Sequence, residues 1–352
     1  MKKIFLIGLA AAAMLTGCNQ DETLEMAKKD GAISFSPYVG KATRTQIINN
    51  GNMQPFHVYG WRTATAGGNA ELLFNGQTVQ GDGSYTPLKY WETGYKYQFE
   101  AIYPKNGESG VAMITNVDGS TIEYTNDGTK DLVYARSAEK TVTNPDDFTA
   151  VGLNFVHLLS RIRFKAKNTF DNNSAMRVTI EKIEILNCTK SATITPGAIT
   201  GKYVNGIWGE KTGSYNLKFI KQQSPSSGNV ENEGDYLSNK VLIPGDAIGV
   251  SSEAKFVFPG DAGYRTIRVT FSLKQLVSED ENGGTAVYTT PIEYVKDFSL
   301  SLADNNLKQG NAYAIMLSIG SQAAGGLVPI EFTVGVETWE ANATDIEVVP
   351  NE

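Results

Sequence analysis

Cysteine and histidine are nearly missing from this chain: its 352 residues hold two of each, Cys18 and Cys188, His57 and His157. Two cysteines allow at most one disulfide, and neither Cys-x-x-Cys nor His-x-x-x-His spacing is present to grip zinc. Each histidine lies in a strand-like alternation, where a packed or hydrogen-bonded residue is expected. Also missing are the G-x-S-x-G nucleophile elbow, the Walker A loop, the G-x-G-x-x-G dinucleotide fingerprint and the EF-hand loop. Glycoside hydrolysis needs only two carboxylates, and the 38 acidic residues nominate no pair. No metal, cofactor or catalytic residue is therefore expected, and the chain reads as a non-enzyme.

Positive charge is scarce as well. The formal charge is −7, and without the first 18 residues, which hold Lys2 and Lys3 but no acid, 29 basic side chains face 38 acidic ones, or −9. Only Arg161, Arg163, Lys165 and Lys167 approach a cluster, and their alternate spacing puts them on one face of a strand, expected to be solvated. Nucleic-acid binding rests on clustered Lys and Arg, so no nucleic-acid partner is expected. No long segment shows helical periodicity. The longest apolar run, Ile4 to Leu15, is too short to cross a bilayer of about 30 Å as a helix.

What the chain does have is aromatics, glycine and period-two patterning. It carries 16 Tyr, 15 Phe and 35 Gly, with 41% hydrophobic and 20% charged residues, the composition of a globular protein rich in strands and turns. Tyr95, Tyr97, Phe99, Ala101 and Tyr103 share one face of a strand that stops at Pro104. In the run Asn154 to Asn168, Val156, Leu158, Ile162, Phe164 and Ala166 point one way and the four basic residues the other, as in a half-buried antiparallel strand. The pattern repeats at Ile267, Val269, Phe271 and Leu273, at Tyr313, Ile315, Leu317 and Ile319, and at Ile330, Phe332, Val334 and Val336. Turn clusters such as Asn126-Asp127-Gly128 and Pro259-Gly260-Asp261 separate these runs. Many short strands between turns predict an all-β chain of β-sandwiches. Its length suits about two domains, placed at 32–150 and 151–352, with Thr143-Asn-Pro-Asp-Asp147 as the break.

The N-terminus is the most specific signal. Lys2 and Lys3, the apolar run and Leu15-Thr16-Gly17-Cys18 read as a signal peptide, residues 1–17, ending in a box that resembles a bacterial lipobox. Signal peptidase II cuts such a box so that the cysteine, here Cys18, becomes a diacylated N-terminus. Acyl chains hold a protein on a membrane with roughly 0.8 kcal/mol per buried CH₂. The following Asn19-Gln20-Asp21-Glu22 resembles the acidic signal that sends Bacteroidota lipoproteins to the outer face of the outer membrane. With Cys18 committed to lipid, no disulfide can form within the chain, and Cys188 is expected to be a small hydrophobe in a strand. Residues 18–31 have little to bury and read as a flexible tether.

Next comes Ile33-Ser-Phe-Ser-Pro-Tyr-Val39, an alternating apolar strand, followed at once by the small, polar Gly40-Lys-Ala-Thr-Arg-Thr45 with its single arginine. Further on, Trp61, Trp91, Trp208 and Trp339 are the candidates for stacking on sugar, although Trp91, before a strand, and Trp339, behind an alternation, hold positions that suit a core.

Taken together, several segments resemble the fimbrillin family, the pilins and accessory subunits of Bacteroidales type V pili. They are the lipobox at Cys18, the strand with Thr43-Arg44, Pro55-Phe-His-Val-Tyr-Gly-Trp61, Tyr90-Trp91, Tyr97 to Pro104, Asn154 to Phe164, Leu242-Ile-Pro-Gly245, Tyr313 to Leu317 and Ile330 to Trp339, in family order over nearly the whole chain. The resemblance implies two tandem transthyretin-like β-sandwich domains, a surface lipoprotein of the outer membrane, and assembly by strand exchange. An arginine-specific protease would cut between Arg44 and Thr45. Residues 32–39, with Ile33, Phe35 and Val39 as apolar anchors, would be the displaced strand, and Asp345 to Pro350, with Ile346 and Val348, the candidate donor. Partners would be other pilus subunits, the outer membrane through the lipid on Cys18, and a glycan or protein on a host or bacterial surface. The competing reading is a monomeric surface lipoprotein that binds glycans.

Overall fold

The computed structural model describes residues 31–39, 53–171, 175–200, 203–219, 241–242, 250–251, 254–260, 266–278, 286–299, 307–320 and 330–337. Among these the architecture is all-β, the only helix being a 3₁₀ turn at Pro145–Asp147. A seven-stranded sheet contains β1 (Phe35–Val39), β2 (Phe56–Ala64), β3 (Glu71–Val79), β4 (Tyr95–Tyr103), β7 (Val133–Arg136), β8 (Lys140–Val142) and β9 (Val151–His157), in the order β1-β9-β7-β4-β2-β3 with β8 beside β4. An eight-stranded sheet is built on the 25-residue β11 (Met176–Thr200). It adds β5 (Val111–Ile114), β6 (Thr121–Thr125), β12 (Tyr203–Lys218), β13 (Val241–Leu242), β16 (Thr266–Ser278), β17 (Val287–Tyr288) and β18 (Ile292–Ser299). The third sheet has β10 (Ser160–Asn168), β14 (Val250–Ser251), β15 (Lys255–Val257), β19 (Ala312–Ile319) and β20 (Ile330–Glu337).

The alternation seen in the sequence sets which faces are buried. Ile162, Phe164 and Ala166 of β10 and Tyr313, Ile315, Leu317 and Ile319 of β19 pack against Val178, Ile180, Ile183 and Ile185 of β11 and Ile267, Val269, Phe271 and Leu273 of β16. That is a two-sheet sandwich. Cys188 lies in this interior as a buried thiol whose Sγ donates to Ile185 O at 3.6 Å. The first sheet is covered on both faces. Tyr59, Trp61, Ile102, Tyr134 and Val156 pack on Val111, Met113, Ile122 and Tyr124, while Phe56, Val58, Tyr97, Phe99, Ala101, Val133 and Leu153 line a separate core on the other side.

The run from Asn154 to Asn168 is two strands, not one. It breaks at Leu158-Leu159, both fully buried, where two adjacent apolar residues interrupt the period of two. Leu158 N–H donates to Leu132 O at 2.8 Å and Leu159 O accepts from Gly310 N at 2.8 Å, so this joint is tied to both sides of the molecule. Moreover, β10 is not purely antiparallel: it runs parallel to β19, Arg161 opposite Ala312 through Asn168 opposite Ile319. Its basic face is half-buried, not open to solvent.

Two elements cross the position near 150 at which the sequence suggested a division. β9 follows it and hydrogen-bonds to β1 and β7; β6 precedes it and pairs with β11, Thr125 opposite Ser191 through Ile122 opposite Ile194. The Asn126-Asp127-Gly128 turn reinforces this link. Asn126 is buried, its N–H donates to Lys190 O at 2.8 Å, and its Nδ2 donates to Phe256 O at 2.8 Å.

A buried carboxylate joins the first sheet to the segment that leads into β6. Glu100 of β4 is fully buried, accepts a hydrogen bond from the Ser120 hydroxyl, and has Arg136 Nη1 3.2 Å from its other oxygen. Burial raises the Glu100 carboxyl above the ordinary carboxylate range, against the lowering effects of Ser120 and Arg136. A raised folded-state value means that the stabilising contribution is complete below the unfolded carboxyl value and is lost as pH rises through the folded one. The melting temperature of the native chain relative to Glu100→Gln should therefore fall as pH rises from below 4.5, the ordinary value, to neutrality. A difference that stays flat with pH would contradict the assignment.

Candidate functional site

The chemistry that sets β1 apart is its position at the end of its sheet. Ile33, Phe35 and Ser36 alternate so that Ile33 is 1% and Phe35 5% exposed while Ser36 and Tyr38 face solvent. β1 runs parallel to β9, Phe35 opposite Val151 through Val39 opposite Phe155, and Val151 N–H donates to Ser34 O at 2.8 Å. In a parallel ladder alternate residues bond to the same neighbour. Even-numbered residues of β1 thus face β9, and the odd-numbered ones direct their amides to the outer edge. Pro37, which has no N–H to give, falls on that outer side, where a proline costs the sheet nothing.

The outer edge is not bare. Residues 80–91 fold back along the N-terminal half of the strand. Ile33 N–H donates to Lys89 O at 2.8 Å, Trp91 N–H to Gly31 O at 2.9 Å, and the Tyr85 hydroxyl to Ile33 O at 2.8 Å. Gly83, at φ +88°, passes so near that a Cβ there would lie 2.1 Å from Phe35 O. A strand edge covered this way is protected from chance pairing. This clasp was not foreseen from the sequence, whose only local hint is the turn-forming Gly81-Asp82-Gly83 before Tyr85.

Beneath the strand lies an aromatic box. The Phe35 ring sits 5.4 Å from Phe74, 5.5 Å from Tyr85 and 5.6 Å from Phe99, the Phe74 and Phe99 contacts edge-to-face. Gly60 makes the box possible, because a Cβ on it would be 2.6 Å from Phe99 and 3.0 Å from Phe74. Loss of β1 would open the backbone groups of β9 and leave a trough lined by Phe74, Phe99, Val151, Leu153 and Phe155.

The other sequence-derived positions fall differently. Val39 lies in β1, opposite Phe155. Cys18, Arg44, Thr45, Ile346, Val348 and Trp339 lie outside the described residues. Trp61 and Trp91 are interior, and Trp208 is half-buried with its ring 5.0 Å from Phe258. His157 Nδ1 is 2.6 Å from Asp131 Oδ2, a buried pair inside the fold, and His57 is half-buried in β2. Among the described residues no group of three or more His, Cys, Asp or Glu is placed to hold a metal ion, and no helix is long and apolar enough to cross a membrane.

Phe35→Ala should destabilise the chain by about 3–5 kcal/mol, the cost of deleting a buried ring. Ser36→Ala, on the exposed side of the same strand, should change stability by less than about 0.5 kcal/mol. Urea denaturation of both variants checks the contrast.

Comparison with known proteins matches this sequence to one family. The sequence profile described as fimbrillin-like matches residues 41–339. Among solved structures, a fimbrial protein from Bacteroides vulgatus is 15% identical over 88% of this chain and 99% of its own, with a TM-score of 0.59. The fimbrial anchor protein Mfa2 from Porphyromonas gingivalis is 10% identical over 88% of this chain and 98% of its own, with a TM-score of 0.31. No curated protein matched the sequence. The first of these structures shares the all-β fold, and with its profile matched over most of its length the chain belongs to the fimbrillin-like family.

Proposed function

We propose that the chain is a fimbrial subunit or adhesin of the cell surface, held first in the outer membrane by lipid on Cys18 and assembled by protease-triggered exchange of its first strand. Membership of the fimbrillin-like family supports the fimbrial role and a structural rather than enzymatic one. The observation that carries the strand-exchange reading is the placement of β1. It is an edge strand, it delivers Ile33 and Phe35 to a core, and the only polypeptide joining it to the next described residue, Met53, contains Arg44.

In this reading a cut between Arg44 and Thr45 leaves residues 32–39 held by non-covalent contacts alone. An incoming strand can restore both the β9 ladder and the apolar trough. Each fully buried large side chain contributes roughly 1.5–3 kcal/mol, so departing and arriving strands with two anchors each are closely matched. Covalent loss of the first strand then makes the exchange one-way. Asp345 to Pro350, with Ile346 and Val348, is the chain's own candidate donor toward other subunits. In this reading the chain forms two tandem sandwich domains that divide near residue 150, with β9 and the β6–β11 pairing bonding across that division.

Treatment of the purified precursor with a trypsin-like protease should release about residues 1–44 and, with other pilus subunits present, produce oligomers, while Arg44→Ala stays intact and monomeric. A trimmed product that remains monomeric beside those subunits would overturn the assembly route. Cys18→Ala should abolish palmitate labelling in cells and move the protein out of the membrane fraction; persistent labelling would contradict the lipid site.

A further inference from the structure

We infer that the groove under β1 selects an incoming strand with an aromatic side chain at the register of Phe35, which the C-terminal segment Asp345 to Pro350 of another copy of this chain does not offer. This rests on the strand-exchange reading and specifies its partner.

The walls of the box hold one another apart from Phe35. Phe74 lies 5.5 Å from Tyr85 and 5.8 Å from Phe99, and Phe99 stacks 6.3 Å from Tyr97, which is itself 4.7 Å from Trp91. The floor cannot move inward, because the rings of Phe99 and Phe74 already press on the backbone at Gly60. Tyr85 is tethered by its hydroxyl, which donates to Ile33 O at 2.8 Å and accepts from Lys89 N at 3.2 Å. Any extended strand offers the same carbonyl, so Tyr85 keeps its place after exchange. A frame so constrained cannot close over a smaller side chain, and a valine or isoleucine in the box leaves its lining without partner atoms on one side.

The chain's own donor does not meet that requirement. Residues 340–352 contain no aromatic residue, and the apolar alternation within Asp345 to Pro350 is Ile346 and Val348. With Ile346 at the register of Ile33, Val348 falls at that of Phe35. Other registers place a valine, an isoleucine or a polar residue in the box.

The test uses the full chain nicked at Arg44 and fluorescent peptides whose entry is followed by anisotropy. One spans residues 33–39, the second is the same peptide with Phe35→Val, the third spans 344–351, and the fourth is that peptide with Val348→Phe. The first should enter, the second at least tenfold more weakly, the third as weakly as the second, and Val348→Phe should restore entry. Equal entry of the first and second peptides, or of the first and third, overturns the selection rule while leaving strand exchange intact. If no nick forms, or the first peptide fails to enter, the strand-exchange reading itself falls and the selection rule with it.

Discussion

A β-sheet with apolar residues on both faces must close its edges, because an open edge exposes hydrogen-bonding groups and core side chains at the same place. In this protein that constraint falls on β9. Val151, Leu153 and Phe155 point into a core, and among the described residues the strand that pairs with them is β1, whereas β7 reaches only Val156 and His157. Two buried side chains, Ile33 and Phe35, and one parallel ladder thus decide whether the first sheet is finished. Ile33 and Phe35 together contribute roughly 3–6 kcal/mol by burial, against a total stability of about 5–15 kcal/mol for a typical domain. The strand is small in length and large in consequence.

The groove is not isolated from the remainder of the fold. β9 leads directly through Leu158-Leu159 into β10, which is central to the third sheet, and β6 ties the layer behind the first sheet to β11. The polar contacts at Glu100 and Asn126 sit at these junctions. Because interiors are close-packed, replacing β1 by a strand of matching shape leaves these joints undisturbed, whereas leaving the groove empty loosens β9 and the layers fixed to it.

Much of this was readable from the residues. The alternation at Tyr95–Tyr103 marked β4 to its last residue before Pro104, and the apolar runs at Ile267, Tyr313 and Ile330 all fall in strands, because period-two burial is a local property of the chain. The all-β class follows from the same signal. Pairing is not local, and there the sequence was less informative. It merged β9 and β10 into one strand, gave β10 antiparallel neighbours where β19 is parallel, and offered no sign that β11 extends over 25 residues to pair with both β6 and β16. It also treated the basic residues of β10 as solvated, since the half-burial of an outer face depends on which segments pass over it. For the candidate site, the apolar spacing of Ile33 and Phe35 was legible; the clasp from Gly83 to Trp91 and the ring box were not, because both arise from contacts between segments tens of residues apart.

The central claim is that β1 completes a core which another strand can complete in its place. Backbone hydrogen exchange at Val151 to Phe155, measured on the intact chain, on the trimmed monomer stripped of residues 1–44, and on the assembled oligomer, tests it most directly. The account predicts protection in the first, loss of protection in the second and its return in the third. Unchanged protection of β9 in the stripped monomer would contradict it.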